Sequence, residues 1–264
     1  MDDEIPEALL RAAESLPGLY ADPAHYDVLA QMTAPDDIGF YARIADDTGG
    51  PVLELGAGTG RVMLSLAERG HEAFGVELSP AMLGFAREKA AAKELGVTLA
   101  LGDLRSFDFG QTFPLILLPY NTLNHLLDDD SLGRAMTCVK RHMTPDSRFV
   151  IDTFQPSLAF LAAPPKAAPI LRYLDPYDQR EVRITEDNRY QPAKQLNTVT
   201  WRYAIEGIED ARIEELTMRI FFPRELDALL SAHGFELLSK HGDYDGLPFG
   251  DDSSKQLCVC RLKR

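Results

Sequence analysis

The 264-residue chain is poor in cysteine, with Cys138, Cys258 and Cys260 only. Their odd number and lack of ligand-like spacing exclude a disulfide scaffold and a cysteine-based zinc site, so they read as packing residues. Positive charge is also scarce: 27 Lys and Arg stand against 41 Asp and Glu, a net charge of -14. Phosphate backbones need clustered cations, and the absence of any basic stripe argues against a nucleic-acid partner. The longest apolar run, Phe113 to Tyr120, is far too short to span a bilayer. The opening Met1-Asp2-Asp3-Glu4 lacks the positive charge and apolar core of a secretory signal, so a cytoplasmic protein is expected. With 45% hydrophobic residues, the chain can build a substantial core in one large domain or in a domain carrying an insertion.

What is abundant is alternation. From Pro51 to Phe154, apolar strand runs alternate with helical patterns, the arrangement that forces a parallel α/β sheet with crossover helices. Strands are expected near 51 to 55, 72 to 77, 97 to 101, 114 to 118 and 147 to 153. Thr59 to Arg69 reads as a helix stopped by Gly70. Ser79-Pro80 supplies an N-cap and a first-turn proline for the next helix, and a third covers Asp129 to His142.

Residues 155 to 222 change character. Ala162 to Pro169, with prolines at 164, 165 and 169, are expected to be irregular because proline removes a backbone donor. Beyond them the pattern has period two: Val182 and Ile184; Val199, Trp201, Tyr203 and Ile205; Leu216, Met218 and Ile220. Three or more strands with one covered face follow, read as a small antiparallel sheet over the cleft. Pro223 starts a helix stopped by Gly234, and strands at 235 to 240 and 256 to 262 resume the core, making seven core strands.

The sharpest signal is Val52-Leu53-Glu54-Leu55-Gly56-Ala57-Gly58-Thr59-Gly60-Arg61, a strand entering a glycine-rich turn, with Glu77 ending the next strand. Glycines let the backbone reverse tightly where a ligand approaches. Glu77 lies about 20 residues on, where an acidic side chain accepts from ribose hydroxyls. A dinucleotide would fit that much. The pyrophosphate fingerprint, however, needs glycine where Arg61 stands, and Glu54 ahead of the loop would repel a pyrophosphate and attract a cationic group.

These residues resemble motifs of the class I S-adenosylmethionine-dependent methyltransferases. Together with Tyr26-Asp27, the helix start at Asp37 to Tyr41, and Gly242 to Gly246 with Pro248-Phe249, they resemble a bacterial small-molecule group that includes sugar-amine N-methyltransferases. The resemblance implies a Rossmann-like doubly wound sheet ordered 3-2-1-4-5-7-6 with the seventh strand antiparallel. It also implies an N-terminal helical lid (1 to 50), a core (51 to 154 and 223 to 264), and an inserted antiparallel region (155 to 222) for acceptor binding or dimerisation. The implied cofactor is S-adenosyl-L-methionine, leaving as S-adenosyl-L-homocysteine. The implied contacts are Tyr26, Glu54, Gly56, Ala57, Gly58, Thr59, Gly60, Arg61, Glu77, Leu78, Met82, Gly102, Asp103, Leu104, Pro119 and Tyr120. Asp103, after the third strand, would accept from the adenine amino group, unless it is simply an Asp in a turn.

The segment after the fourth strand would face the methyl group, so Tyr120, Asn121, Asn124 and His125 are candidates for acceptor contact, with Asp152 at the end of the fifth strand. His125 is the preferred general base because its ordinary pKa lies nearest neutrality, with Tyr120 and Asp152 as alternatives and a structural hydrogen-bonding role as the competing reading. Tyr26 either shields the methyl group or packs the first helices onto the core. Gly242 to Phe249 is taken as a turn beside the acceptor pocket; Asp243, Asp245, Asp251 and Asp252 lack the full calcium-loop pattern, and no metal is expected. The expected activity is methyl transfer to N or O of a small molecule. The rivals are a cofactor-binding regulatory or assembly protein and a nicotinamide oxidoreductase. The exposed inserted sheet could pair between subunits into a homodimer, and the oligomeric state is left open.

Overall fold

The computed structural model describes residues 7–164 and 166–264. The residues Met1 to Glu4, on which the absence of a secretory signal rests, lie outside them, as does Pro165. Four N-terminal segments come first: α1 (Glu7–Glu14), a 3-10 turn (Gly18–Ala21), α2 (Pro23–Thr33) and α3 (Ile38–Thr48). The core follows with β1 (Val52–Leu55), α4 (Arg61–Glu68), β2 (Ala73–Glu77), α5 (Pro80–Ala92), β3 (Val97–Leu101), β4 (Leu115–Leu118), a 3-10 turn (Thr122–His125), α6 (Asp129–Arg141) and β5 (Arg148–Phe154). The insertion holds α7 (Leu158–Ala162), β6 (Ala168–Leu174), β7 (Glu181–Gln191), β8 (Leu196–Ile205) and β9 (Ile208–Arg219). It is followed by α8 (Pro223–Ala232), β10 (Phe235–His241) and β11 (Lys255–Leu262).

The seven-stranded sheet runs β3-β2-β1-β4-β5-β11-β10, with β11 antiparallel to both neighbours. This is the expected order, since β10 and β11 are the sixth and seventh core strands. Strands buried on both faces need apolar residues at every position, and β1 and β4 are covered throughout. On β4, Leu115 and Leu117 join Phe40, Tyr41 and Ala45 of α3 on one face, while Ile116 and Leu118 join Leu132, Met136 and Val139 of α6 on the other. Cys258 and Cys260 share the α6 face and are packing residues. Among the described residues, no helix is long and apolar enough to cross a membrane.

The insertion is a four-stranded antiparallel sheet, β6-β7-β8-β9. Tyr173, Val182, Ile184 and Tyr203 cover one of its faces by packing on Leu19 and Leu29, so the N-terminal segments lie against this sheet. The expectation of an irregular 162 to 169 needs correction: β6 begins at Ala168 and contains Pro169. Proline is tolerated there because β6 is an edge strand with a register shift after Pro169. Its largely exposed residues gave the alternation no amplitude.

Candidate active site

The glycine turn is built by steric necessity at two of its positions. Gly56 has φ +71°, and a Cβ there would stand 2.6 Å from Thr122 Cγ2, so this glycine lets the turn after β1 close against the loop after β4. Gly58 has φ +55°, but a Cβ there would meet nothing within 4 Å. It opens onto a cavity of about 290 Å³ instead. Glu77, ending β2, accepts from Gly58 N at 2.8 Å through Oε2 and from Ser79 N at 2.7 Å through Oε1. Burial pushes this carboxyl up, against the pull of the backbone N–H groups of Ser79, Gly58 and Leu78. Each oxygen keeps a lone pair for a ligand hydroxyl.

The floor of the cavity is the carboxyl edge of the sheet: Gly56, Gly58, Val76, Glu77, Leu78, Met82, Gly102 and Leu104. Its far wall is Tyr120, Asn121, Thr122 and His125 from the loop after β4. The roof comes from two places distant in sequence. Leu16, Leu19, Tyr20, Tyr26, Leu29, Ala30 and Thr33 belong to the N-terminal segments, and Trp201, Leu216 and Met218 to the inserted sheet. Of the roof, only Tyr26 stood in the expected cofactor or acceptor set.

Several expected ligand contacts have protein partners instead. Glu54 is buried, does not line the cavity, and accepts from Met63 N at 2.8 Å. Gly60, the N-cap of α4, has no side chain to satisfy the first-turn donors, so β1 supplies the missing acceptor. Burial pushes the Glu54 carboxyl up to about 8, with Met63 N–H and Arg61 opposing. Arg61 forms a bidentate pair with the fully buried Asp37, at 2.5 and 2.7 Å, and lies over the Tyr120 ring. Thr59 donates to Asp27, which also pairs with Lys89 at 2.7 Å; this ties α2 to the turn. Asp103 is held by Arg105, whose backbone N and side-chain Nε both reach Oδ1, at 2.8 and 2.9 Å. Those hydrogen bonds hold the Asp103 carboxyl below the usual range despite its partial burial. Its neighbours Gly102 and Leu104 line the cavity and it does not. Ala57, Gly60 and Pro119 likewise shape the turn and loop without lining the cavity.

The loop after β4 is held in an unusual conformation. Tyr120 (φ 47°) and Asn121 (φ 64°) are consecutive left-handed residues, a state that persists only where surroundings impose it. The end of β5 imposes it here. Asp152 Oδ2 accepts from Tyr120 N at 3.0 Å, Asp152 O accepts from Asn121 N at 3.0 Å, and Phe154 N donates to Asn121 Oδ1 at 2.9 Å. Asp152 is fully buried and also accepts from Tyr41 and Tyr244 hydroxyls at 2.8 and 2.7 Å, with Lys255 3.5 Å away. It is a positioning residue that does not line the cavity. Asn124 is equally internal: its Nδ2 donates to Arg219 O and its Oδ1 accepts from Thr153 Oγ1, both at 2.7 Å. The turn at 242 to 249 sends Tyr244 to this cluster, and none of its residues lines the cavity, contrary to the expectation of a turn beside the acceptor.

His125 does face the cavity, and its Nε2 lies 2.9 Å from the hydroxyl of Tyr20. Burial raises the Tyr20 hydroxyl well above its ordinary pKa, so the hydroxyl stays neutral and shares one hydrogen bond with Nε2. Burial also lowers His125 to about 4. The general-base reading rests on the ordinary pKa of histidine, and burial moves this imidazole below it, toward a neutral and weakly basic ring. Tyr20 was missed because its partner lies 105 residues away. The signal available was a second tyrosine six residues before Tyr26.

An open, mainly parallel sheet with a glycine turn after its first strand and a carboxylate ending its second defines a Rossmann-like domain for a nucleoside-containing cofactor. Residues 52–146 match the family described as Methyltransferase domain. The chain is 30% identical over 129 residues to the putative methyltransferase YqeM of Bacillus subtilis, covering 48% of this chain and 51% of that protein. It is 26% identical over 133 residues to the dTDP-3-amino-3,6-dideoxy-alpha-D-glucopyranose N,N-dimethyltransferase of Streptomyces fradiae, with 48% and 51% covered. The chain thus spans about half the length of these curated relatives. The CcbJ methyltransferase of Streptomyces caelestis superimposes with a TM-score of 0.75 at 29% identity, over 96% of each chain.

Proposed function

We propose that this protein is an S-adenosylmethionine-dependent methyltransferase acting on a nitrogen of a small-molecule acceptor. The observation that carries the reading is the conjunction of Gly58 and Glu77 at one end of the cavity with the Tyr20–His125 pair at its wall. The residues fit the cofactor: Gly58 leaves space that a Cβ would fill, Glu77 has lone pairs for ribose hydroxyls, and Gly102, Leu104, Leu78 and Met82 offer backbone and apolar surface for a base. When bound, that cofactor supplies an electrophilic methyl group.

The protein's own part is to hold an acceptor in line and keep water out. The N-terminal segments and the inserted sheet close over the acceptor as a lid. The Asp152 cluster fixes Tyr120 and Asn121 against it. Nitrogen is favoured over oxygen because an uncharged amine attacks without prior deprotonation, whereas a hydroxyl needs a base, and a His125 held near 4 is a poor one. Tyr20 and His125 orient the acceptor by hydrogen bonding.

The experiment is calorimetric titration with S-adenosylhomocysteine. Wild-type protein binds it, and Gly58→Val, whose side chain enters the cavity, loses at least about tenfold in affinity, a factor worth roughly 1.4 kcal/mol. Undiminished binding by a folded Gly58→Val protein refutes the assignment of this turn to the cofactor.

A further inference from the structure

The relatives include an enzyme named for a nucleotide-linked amino sugar, whose pyrophosphate carries negative charge. Such an acceptor, buried beside the methyl donor, needs cations or many backbone donors to replace its hydration. The roof over this cavity supplies no cation. Its side chains are Leu16, Leu19, Leu29, Trp201, Leu216 and Met218, interleaved with tyrosine and threonine hydroxyls. Among the described residues no lysine or arginine lines the cavity, and Glu77, at the floor, is its one carboxylate.

Two cations behind the Tyr120 wall are already committed. Arg61 and Lys255 both lie against the Tyr120 ring, at 5.5 and 5.6 Å from its centroid. Arg61 is paired with Asp37, and Lys255 sits 3.5 Å from Asp152. Moving Arg61 toward a phosphate would take the counter-charge from fully buried Asp37, and moving Lys255 would take it from fully buried Asp152. That loss opposes any affinity gained.

We infer that the acceptor is an uncharged molecule with a predominantly apolar, ring-bearing body, and that nucleotide-linked or otherwise phosphorylated acceptors are rejected by the roof. The inference rests on the methyl-transfer reading for what the occupant is, and the apolar, cation-free lining of the roof carries the choice of class. Trp201, Tyr20, Tyr26 and Tyr120 present flat rings suited to a planar body. Acceptor recognition is then a matter of shape and burial, with the Tyr20–His125 pair left to orient the one polar group.

Three probes sharing one ring separate charge from shape: 1-naphthol, uncharged; 1-naphthyl phosphate, anionic; and 1-naphthylmethylamine, cationic. Each is titrated calorimetrically at pH 7, with and without saturating S-adenosylhomocysteine. The expected result is at least about tenfold tighter binding of the naphthol than of either charged probe, since the roof would strip both ions of water without pairing them. Met218→Arg, placing a cation on the roof, is expected to weaken the naphthol and strengthen the phosphate. Equal affinities, no binding of naphthol, or preference for a charged probe in the wild-type protein overturns the inference. Failure of S-adenosylhomocysteine to bind overturns the methyl-transfer reading instead, while the comparison among probes without it still decides the character of the roof.

Discussion

Glu54 makes an exacting test of how this active-site region is held together. Its carboxyl is 3% exposed, accepts from Met63 N at the start of α4, and is pushed by burial from 4.5 up to about 8. A carboxyl raised in the folded state binds its proton more tightly there than in the unfolded chain. Its contribution to stability is fully present below about 4.5 and is lost as pH rises through about 8. The full displacement corresponds to roughly 5 kcal/mol at 1.36 kcal/mol per pH unit, an upper bound; the α4 dipole favours the ionised form and reduces it. Glu54→Gln keeps an oxygen for Met63 N–H and cannot ionise. Wild type and variant should therefore differ little at pH 5, and the variant should be the more stable by about 2 to 4 kcal/mol at pH 9. Urea denaturation at pH 5, 7 and 9 reads this difference, followed by the fluorescence of Trp201, the chain's single tryptophan. All other titrating groups are common to both proteins and cancel. A difference independent of pH would mean that Glu54 is ionised throughout, and would refute the buried neutral carboxyl.

Three further outcomes are expected. Gly56→Ala combines strain at φ +71° with a contact 2.6 Å from Thr122 Cγ2, and should destabilise by about 2 to 4 kcal/mol; Thr122→Ala should recover part of this, and strict additivity of the pair would refute the contact. His125, lowered to about 4, favours folding above its ordinary pKa of 6.5, and that contribution, roughly 3 kcal/mol, is lost as pH falls through about 4. Its imidazole resonance, assigned with His125→Gln, should not move between pH 8 and 6, and a midpoint near 6.5 would contradict the burial argument. Asn124→Ala leaves Arg219 O and Thr153 Oγ1 without their partner in a fully buried site and should cost about 3 kcal/mol in chemical denaturation, whereas a change below about 0.5 kcal/mol would show that the bonds are not made.

Much of the fold was legible because it is set locally. Strands β1 to β5 lie within a residue or two of their sequence-derived bounds, since apolar runs and glycine or proline stops act within a few residues. Ser79 caps α5 as expected, accepting from Met82 N at 3.3 Å. Strand β6 was illegible because an exposed edge strand has no buried face to imprint a period. The cavity wall was partly legible: Tyr120, Asn121 and His125 line it, while their neighbour Asn124 turns inward to Arg219. Asp103 was a missed local signal, since Arg105 stands two residues on.

By itself, then, the sequence determined the strand-turn-helix unit at 52 to 68, the carboxylate that ends β2, and the alternation that requires a doubly wound sheet. Those follow from backbone sterics and hydrophobic periodicity, which neighbouring residues decide. Only tertiary structure decided which carboxylates face the cavity and which are consumed inside the protein: Glu77 toward Gly58, but Glu54 to α4, Asp37 to Arg61 and Asp152 to two tyrosines. It also decided that Tyr20 meets His125 and that Trp201 roofs the site. A polar side chain's role depends on the partner nearest it in space, and the partners of Asp37, Asp152 and His125 lie 24 to 111 residues away in the chain.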